Sequence, residues 1–374
     1  MIITHVETYA VRIPLRPERR MISSLGQHTV SDYVLVRIGT DAGIEGVGEA
    51  TVMPRWSGET VWGCRALIDR LFRPALLGCE VSAIDEIDRR MEGICKHNWF
   101  AKSAVEMACW DAWGKLTGRP VYQLLGGAFR PLTFRCRFSM GAYDLDRARK
   151  TAAERVAAGF TTIKVKVGGE SEADLERVRA VRETIGPRHN IDIDANCGWS
   201  ADTAVRKIKA LADCRLALVE QPTPDGDYAA LARVRRETGA VVMADDMLFD
   251  LVHARELFRN KACDVLNVYP GKQGGLARAQ RMIELAAQNK VACTIGSNLE
   301  WDVATAAMGH LIVACPNMQV DRYPGDALGP AYHEFSIVRR PIRIEGPEVT
   351  VPDGPGLGVE VDWEVVRANL TPAA

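Results

Sequence analysis

The run FTTIKVKVGG, residues 160–169, sets two lysines on alternate positions of an otherwise apolar, β-branched segment. Side chains alternate between faces along a strand, so Lys164 and Lys166 point the same way. Burial of an unpaired ammonium is costly. The run is therefore either an edge strand with a wet face or a strand whose lysine face looks into a site that needs positive charge.

From about residue 131 the sequence repeats the same texture around this run. The strand candidates are TFRCRFSMG, FTTIKVKVGG, NIDIDANCG, LALVEQP, AVVMADD, DVLNVYPG, ACTIGSN and NMQVDRYP, with amphipathic helical stretches between them. Eight βα-type units argue for a closed parallel barrel. A doubly wound sheet is the alternative. However, GIEGVGEA has glycines at the wrong spacing for a dinucleotide fingerprint, and no helix follows it directly. Before the repeat, MIITHVETYAVRI and SDYVLVRIGTDAGIEGVGEA alternate as strands around a DAG turn. Helical patterns are expected over residues 59–77, 83–95 and 101–117. From about residue 341 the texture returns to strand and turn. The expected organisation is an α/β fold: an α+β capping domain (1–130), a modified TIM (β/α)-barrel (131–340) and a C-terminal segment that packs back on the cap (341–374).

The 374 residues are 47% hydrophobic and 25% charged, with a formal net charge of -1. Such a balance offers no field for nucleic acid or an anionic membrane. No apolar run has bilayer-spanning length, and the N-terminus reads as a strand rather than a signal peptide. Ten cysteines without a CxxC pair are expected to be free thiols in a reducing, cytoplasmic setting.

In a barrel of this kind, chemistry sits at the C-terminal strand ends. Read in order, those ends carry Lys164 and Lys166, then Asp194 and Asn196, then Glu220, then Asp245 and Asp246. Three acids end consecutive strands, one βα unit apart, and converge on one rim. Any one of them reads equally well as a helix N-cap or an arginine partner. Three together, opposite a lysine pair, repel one another unless a cation neutralises them. Oxygen donors suit Mg²⁺, with Mn²⁺ as a substitute, whereas zinc would want histidine or cysteine. Such an ion stabilises the dianion formed when the proton α to a carboxylate leaves. A lysine beside other positive charge has a lowered pKa and serves as the base.

The motifs KVK at Lys164–Lys166, DAN at Asp194–Asn196, VEQP at Glu220, ADD at Asp245 and KQGG at Lys272–Gly275 stand together in this chain. The stretch HNWFAKSAVEMACWDAWGK precedes an LLGG. With these, the chain resembles the enolase superfamily, mandelate racemase/muconate lactonizing enzyme family, and within it the muconate cycloisomerase subgroup. The resemblance covers nearly the whole length. It implies a capping domain over a modified TIM barrel, Asp194, Glu220 and Asp245 as Mg²⁺ ligands, Lys166 as acid/base and Lys164 as its companion. It also implies an acidic group near the site at Glu300, in GSNLE with Ser297 and Asn298, and a homo-oligomer acting on a small carboxylate.

One position departs from the family pattern. The family's second catalytic lysine falls five residues before the glycine pair, and that position is Tyr269. Tyrosine, with an ordinary pKa of about 10, is a poor resting base. Lys272 replaces it only if Pro270 and Gly271 bend the strand end inward. A 1,1-proton transfer needs groups on both faces, whereas cycloisomerisation or β-elimination runs with Lys166 alone. The expected outcome is therefore a cycloisomerase or dehydratase. The alternatives are a racemase or epimerase using Tyr269 or Lys272, and a non-catalytic metal-binding barrel. A metal-dependent hydrolase would show HxH on the first barrel strand, which reads TFRCRFSMG. The cap loops ISSLGQHTV and TVMPRWSGE offer Gln27, His28, Arg55 and Trp56 to the distal end of the substrate, with His28 and Arg55 favouring a polar or anionic group. Asp321, ending the eighth strand, faces a cationic or hydroxyl group or caps a turn. Lys96, His97 and Lys102 read as helix-start residues.

Overall fold

Five strands open the chain: β1 (Ile3–Pro14), a short hairpin of β2 (Met21–Ser23) and β3 (Gly26–His28), then β4 (Val30–Thr40) and β5 (Glu45–Val52). The structure, a computed structural model, describes residues 1–169 and 171–371, so the last three residues of the expected C-terminal segment lie outside it. β1, β4 and β5 form an antiparallel sheet in that order. The helix Trp99–Thr117 lies on this sheet and is buried over most of its circumference, as expected of a helix that is apolar all round. GIEGVGEA is explained by this contact. A Cβ on Gly48 would stand 1.8 Å from the carbonyl oxygen of Ala104, and one on Gly46 2.0 Å from that of Ala108. The glycines admit the helix backbone to the sheet.

The barrel strands are β7 (Phe138–Met140), β8 (Thr162–Lys166), β9 (Asn190–Asp194), β10 (Leu218–Glu220), β11 (Val242–Ala244), β12 (Val265–Val268) and β13 (Ala292–Ile295). They form one curled seven-stranded sheet in sequence order, parallel at every pairing. This is the modified barrel that the resemblance implies, with one strand position filled otherwise.

Two strand expectations need correction. TFRCRFSMG is not one strand: its first part, β6 (Thr133–Arg135), pairs with β15 (Glu348–Thr350) in a separate sheet with β14 (Ile344–Glu345). NMQVDRYP forms no regular eighth strand. Tyr323 N–H donates to Gln319 O at 2.8 Å, so the chain turns there, and the proline that follows has no N–H for a ladder. Closure comes from the isolated parallel bridges Cys293–Met318 and Cys136–Gly325.

The C-terminal helix Trp363–Ala368 returns to the cap, where Trp363 meets Tyr9 at 4.9 Å between ring centroids. Cap and barrel are also joined by buried carboxylates. Glu49 accepts from the N–H groups of Trp301, Val303 and Ala304, and Glu106 from those of Leu276 and Ala277. Each sits at the positive end of a barrel helix. Among the described residues no helix is long and apolar enough to cross a membrane, and all ten cysteines are free.

Candidate active site

Strand register builds the site. Lys166 is the register partner of Asp194, which is the partner of Glu220. One layer deeper, Lys164 pairs with Asp192 on one side and Ser139 on the other. The period of two thus brings two polar layers onto the inner face of the barrel. Asp245 follows directly on β11.

Each lysine is paired. Lys166 Nζ lies 2.5 Å from Asp194 Oδ2 and 2.6 Å from Asn196 Oδ1. Lys164 Nζ lies 2.8 Å from Asp326 Oδ2, 3.2 Å from Glu220 Oε2 and 3.4 Å from Asp194 Oδ2. Burial and Arg137 act to lower the Lys164 pKa, but the three carboxylates outweigh them and raise it. Lys164 is therefore a fixed cation and not a base with a lowered pKa.

Beneath the rim lies a group that the sequence reading missed. Arg137 is fully buried and donates to Glu220 Oε2 at 2.8 Å, Asp192 Oδ2 at 3.1 Å and Asp326 Oδ2 at 2.8 Å. Ser139 Oγ meets Asp326 Oδ1 at 2.5 Å, and Asn267 Nδ2 donates to Glu220 Oε1 at 3.0 Å. Burial opposes ionisation of Asp326, but Arg137 and Lys164 hold its pKa below the ordinary range. Arg137 and Ser139 alternate in RFS as the lysines do in KVK, and that period was the available signal. Asp326 had none, because it follows a turn rather than a strand.

Asp194, Glu220 and Asp245 line one cavity of about 460 Å³ with Lys164, Lys166 and Tyr269. Among the described residues no three His, Cys, Asp or Glu side chains already stand as a finished metal-ligand cluster. Instead the three carboxylates share three ammonium groups, the third being Lys272, which donates to the Asp245 carboxylate and to Asp245 O at 2.9 Å. Burial and repulsion from Asp194 push Glu220 up to about 8, despite Lys164 and Arg137. Asp194 goes the other way: burial is overcome by Lys166 and Lys164, and its pKa is lowered. With Asp192, Asp246 and Asp326 the buried carboxylates here number six against the four cations Lys164, Lys166, Lys272 and Arg137, and a rim of oxygen donors so short of positive charge fits a hard divalent cation.

Tyr269 follows β12, four strands round the sheet from β8, and so stands across the barrel from Lys166. Burial, then the negative charge of Asp245 and Glu300, raise its pKa well above 10 and keep the phenol protonated. A one-turn helix, Pro270–Gln273, carries Lys272 inward onto Asp245. Lys272 is fully buried and is not among the residues lining the cavity.

The cap closes over the mouth. Ser24 Oγ, at the hairpin tip, donates to Ala195 O at 3.2 Å and Asn196 O at 3.1 Å. Trp56 Nε1 donates to Asp246 Oδ1 at 2.9 Å. Burial, with Asp245 and Asp194 nearby, pushes Asp246 up to about 7. Gln27, His28, Arg55, Trp56 and Asn196 line the cavity, as do Ser297 and Asn298. Glu300 is buried behind them, accepting from Ser297 Oγ at 2.5 Å and from Asn298 N–H at 3.0 Å. Burial pushes Glu300 up to about 7. Asp321 is not in the site. It sits in the turn that replaces the eighth strand, 88% exposed, with Arg130 at 3.5 Å. Lys96 and His97 precede the helix Trp99–Thr117, and Lys102 within it pairs with Glu92 at 2.7 Å; none of the three lines the cavity.

Comparison with known proteins places this geometry. The family described as "Mandelate racemase / muconate lactonizing enzyme, N-terminal domain" matches residues 3–126, and "Enolase C-terminal domain-like" matches residues 147–365. Muconate cycloisomerase 1 of Rhodococcus opacus is 32% identical over 98% of this chain and 97% of its own. L-Ala-D/L-Glu epimerase of Bacillus subtilis is 30% identical over 96% of this chain and 97% of its own. The solved dipeptide epimerase of Enterococcus faecalis, complexed with Mg and the dipeptide L-Leu-L-Tyr, superposes with a TM-score of 0.91 at 31% identity, covering 96% of this chain and 100% of that one. This chain belongs to the mandelate racemase/muconate lactonizing enzyme family and is an enzyme of the enolase superfamily.

Proposed function

We propose that the protein uses Lys166 to remove the proton α to the carboxylate of a small acid, with Asp194, Glu220 and Asp245 holding Mg²⁺ or Mn²⁺. The ion, when bound, supplies positive charge to the carboxylate oxygens as the dianion forms. Lys164, a fixed cation, adds to that charge from below. Asn196 orients Lys166 Nζ through its Oδ1. The cap loops exclude water from the mouth.

One observation carries the choice of outcome: the side chain across the barrel from Lys166 is a phenol held protonated, not an amine. A group that does not accept a proton at neutral pH cannot serve both directions of a 1,1-transfer. Single-base chemistry, cycloisomerisation or β-elimination, is therefore the reading. A proton taken by Lys166 returns to the same face, or passes to a leaving hydroxyl on that face.

The epimerase reading has two observations behind it: Lys272 is turned inward, and relatives with epimerase names are as similar as the cycloisomerases. Its Nζ, however, is engaged by both the carboxylate and the backbone of Asp245 and stays outside the cavity lining. The test is incubation of the Mg²⁺-loaded protein in D₂O with a panel of small carboxylates, followed by NMR. Deuterium at the α position with retained configuration, or a lactone or dehydrated product, supports single-base chemistry. Exchange with inversion contradicts it.

A further inference from the structure

We propose that the substrate is monoanionic: its one carboxylate goes to the barrel floor, and the part of it under the cap carries no second negative charge. This deepens the reading above and rests on it for the position of the carboxylate.

The charge inventory of the cap side carries the inference. Among the cap residues lining the cavity, Arg55 is the one with a cationic side chain. Its Nη1 donates to Leu25 O at 2.7 Å and fills the space beside Gly26, where a Cβ would stand 2.4 Å from it. Arg55 thus fastens the hairpin tip, and as an exposed residue it offers an ion pair that adds little. His28 Nε2 lies 2.7 Å from Ser31 Oγ, and burial lowers its pKa from 6.5, so the ring is neutral at pH 7. Asp32 lines the same end and brings a negative charge. Its counter-ion, Arg12, bonds it at 2.8 and 3.1 Å and is not among the residues lining the cavity. Of the other cap residues lining it, Ser23 and Gln27 are polar but uncharged, and Met21, Val30, Val52 and Met53, with Leu328 from the barrel, are apolar. A second carboxylate here would lose its water, meet Asp32 and gain no buried cation. On this reading His28 and Arg55, expected to favour a polar or anionic group, meet a polar one. A dicarboxylate such as a muconate does not suit this cavity, so β-elimination is the single-base outcome this inference keeps: closing a lactone from a muconate uses a second carboxylate as the attacking group.

Two acids with one carbon skeleton test the point: trans,trans-hexa-2,4-dienoate, with one carboxylate, and trans,trans-muconate, with two. Their dissociation constants are measured by calorimetry on the Mg²⁺-loaded full chain. The monocarboxylate is expected to bind roughly tenfold tighter or better. Asp32→Asn is expected to narrow the gap by strengthening muconate binding, with the monocarboxylate unchanged. Equal or tighter binding of muconate by the native chain overturns the inference. So does a selective loss of muconate binding in Arg55→Ala, and so does failure of both acids to bind. Discrimination by charge with no α-proton exchange on any acid would sink the catalytic reading alone. Exchange on a dicarboxylate that binds tightly would sink this inference alone.

Discussion

The indole of Trp56 lies over the ring of Tyr269, with centroids 5.7 Å apart and planes 22° from parallel. A cap residue thereby roofs the barrel residue that stands where the family pattern has a lysine. The stack fixes the phenol, and Trp56 Nε1 ties the same roof to Asp246. Cap closure and the face opposite Lys166 are one unit.

Trp56→Phe keeps a ring over Tyr269 and removes the donor to Asp246. Asp246 Oδ2 already has no partner among the described residues, so the change leaves the carboxylate with only the 3.4 Å contact from Asn196. The expected loss of stability is about 1–3 kcal/mol, measured by urea unfolding of the full chain.

Arg137→Met removes the one cation that contacts Asp192, Glu220 and Asp326 together. Breaking a buried ion network from one side costs about 3–5 kcal/mol. Denaturant midpoints would show this. An unchanged midpoint would mean that Lys164 alone neutralises the layer.

Asn267→Ala leaves Glu220 in place but takes away the amide that holds its Oε1. Partners behind metal ligands typically contribute 10–100-fold to affinity, and a loss on the order of 10-fold in Mg²⁺ binding is expected. Stripping the metal with a chelator should abolish α-proton exchange. Mg²⁺ or Mn²⁺ should restore it.

Stability should fall as the pH rises from acid to just above neutral. Burial raises Glu49 from 4.5 to about 8, and its backbone hydrogen bonds only partly offset this. A carboxyl with a raised folded-state pKa favours the fold at low pH, and that contribution is lost as pH rises from about 4.5 through about 8. Melting temperature should therefore decline across this window, and Glu49→Gln should flatten the decline.

Much of this was legible in the sequence, for physical reasons that can be named. Asp194, Glu220 and Asp245 each end an apolar run, so strand length and the βα repeat predict their common rim. KVK was readable because a period of two is unmistakable in a β-branched segment. Arg137 obeyed the same period in RFS, but TFRCRFSMG looked like one strand when it is two, β6 and β7, in different sheets. Asp326 was invisible and Asp321 misleading, because barrel closure uses a turn and two bridges where a strand was expected. The roles of Arg55 and Ser24 depend on where the hairpin tip lands on the barrel, and no local pattern encodes that landing.

The central claim is that Lys166 alone moves the α-proton, and one comparison tests it most directly. Deuterium incorporation from D₂O would be followed by NMR for the native chain, Lys166→Ala and Tyr269→Phe, each loaded with Mg²⁺. The account predicts exchange with retained configuration in the native chain and in Tyr269→Phe. It predicts a loss of at least ~100-fold in Lys166→Ala with Mg²⁺ affinity kept. Native-like exchange in Lys166→Ala, or inversion that disappears with Tyr269→Phe, would contradict it.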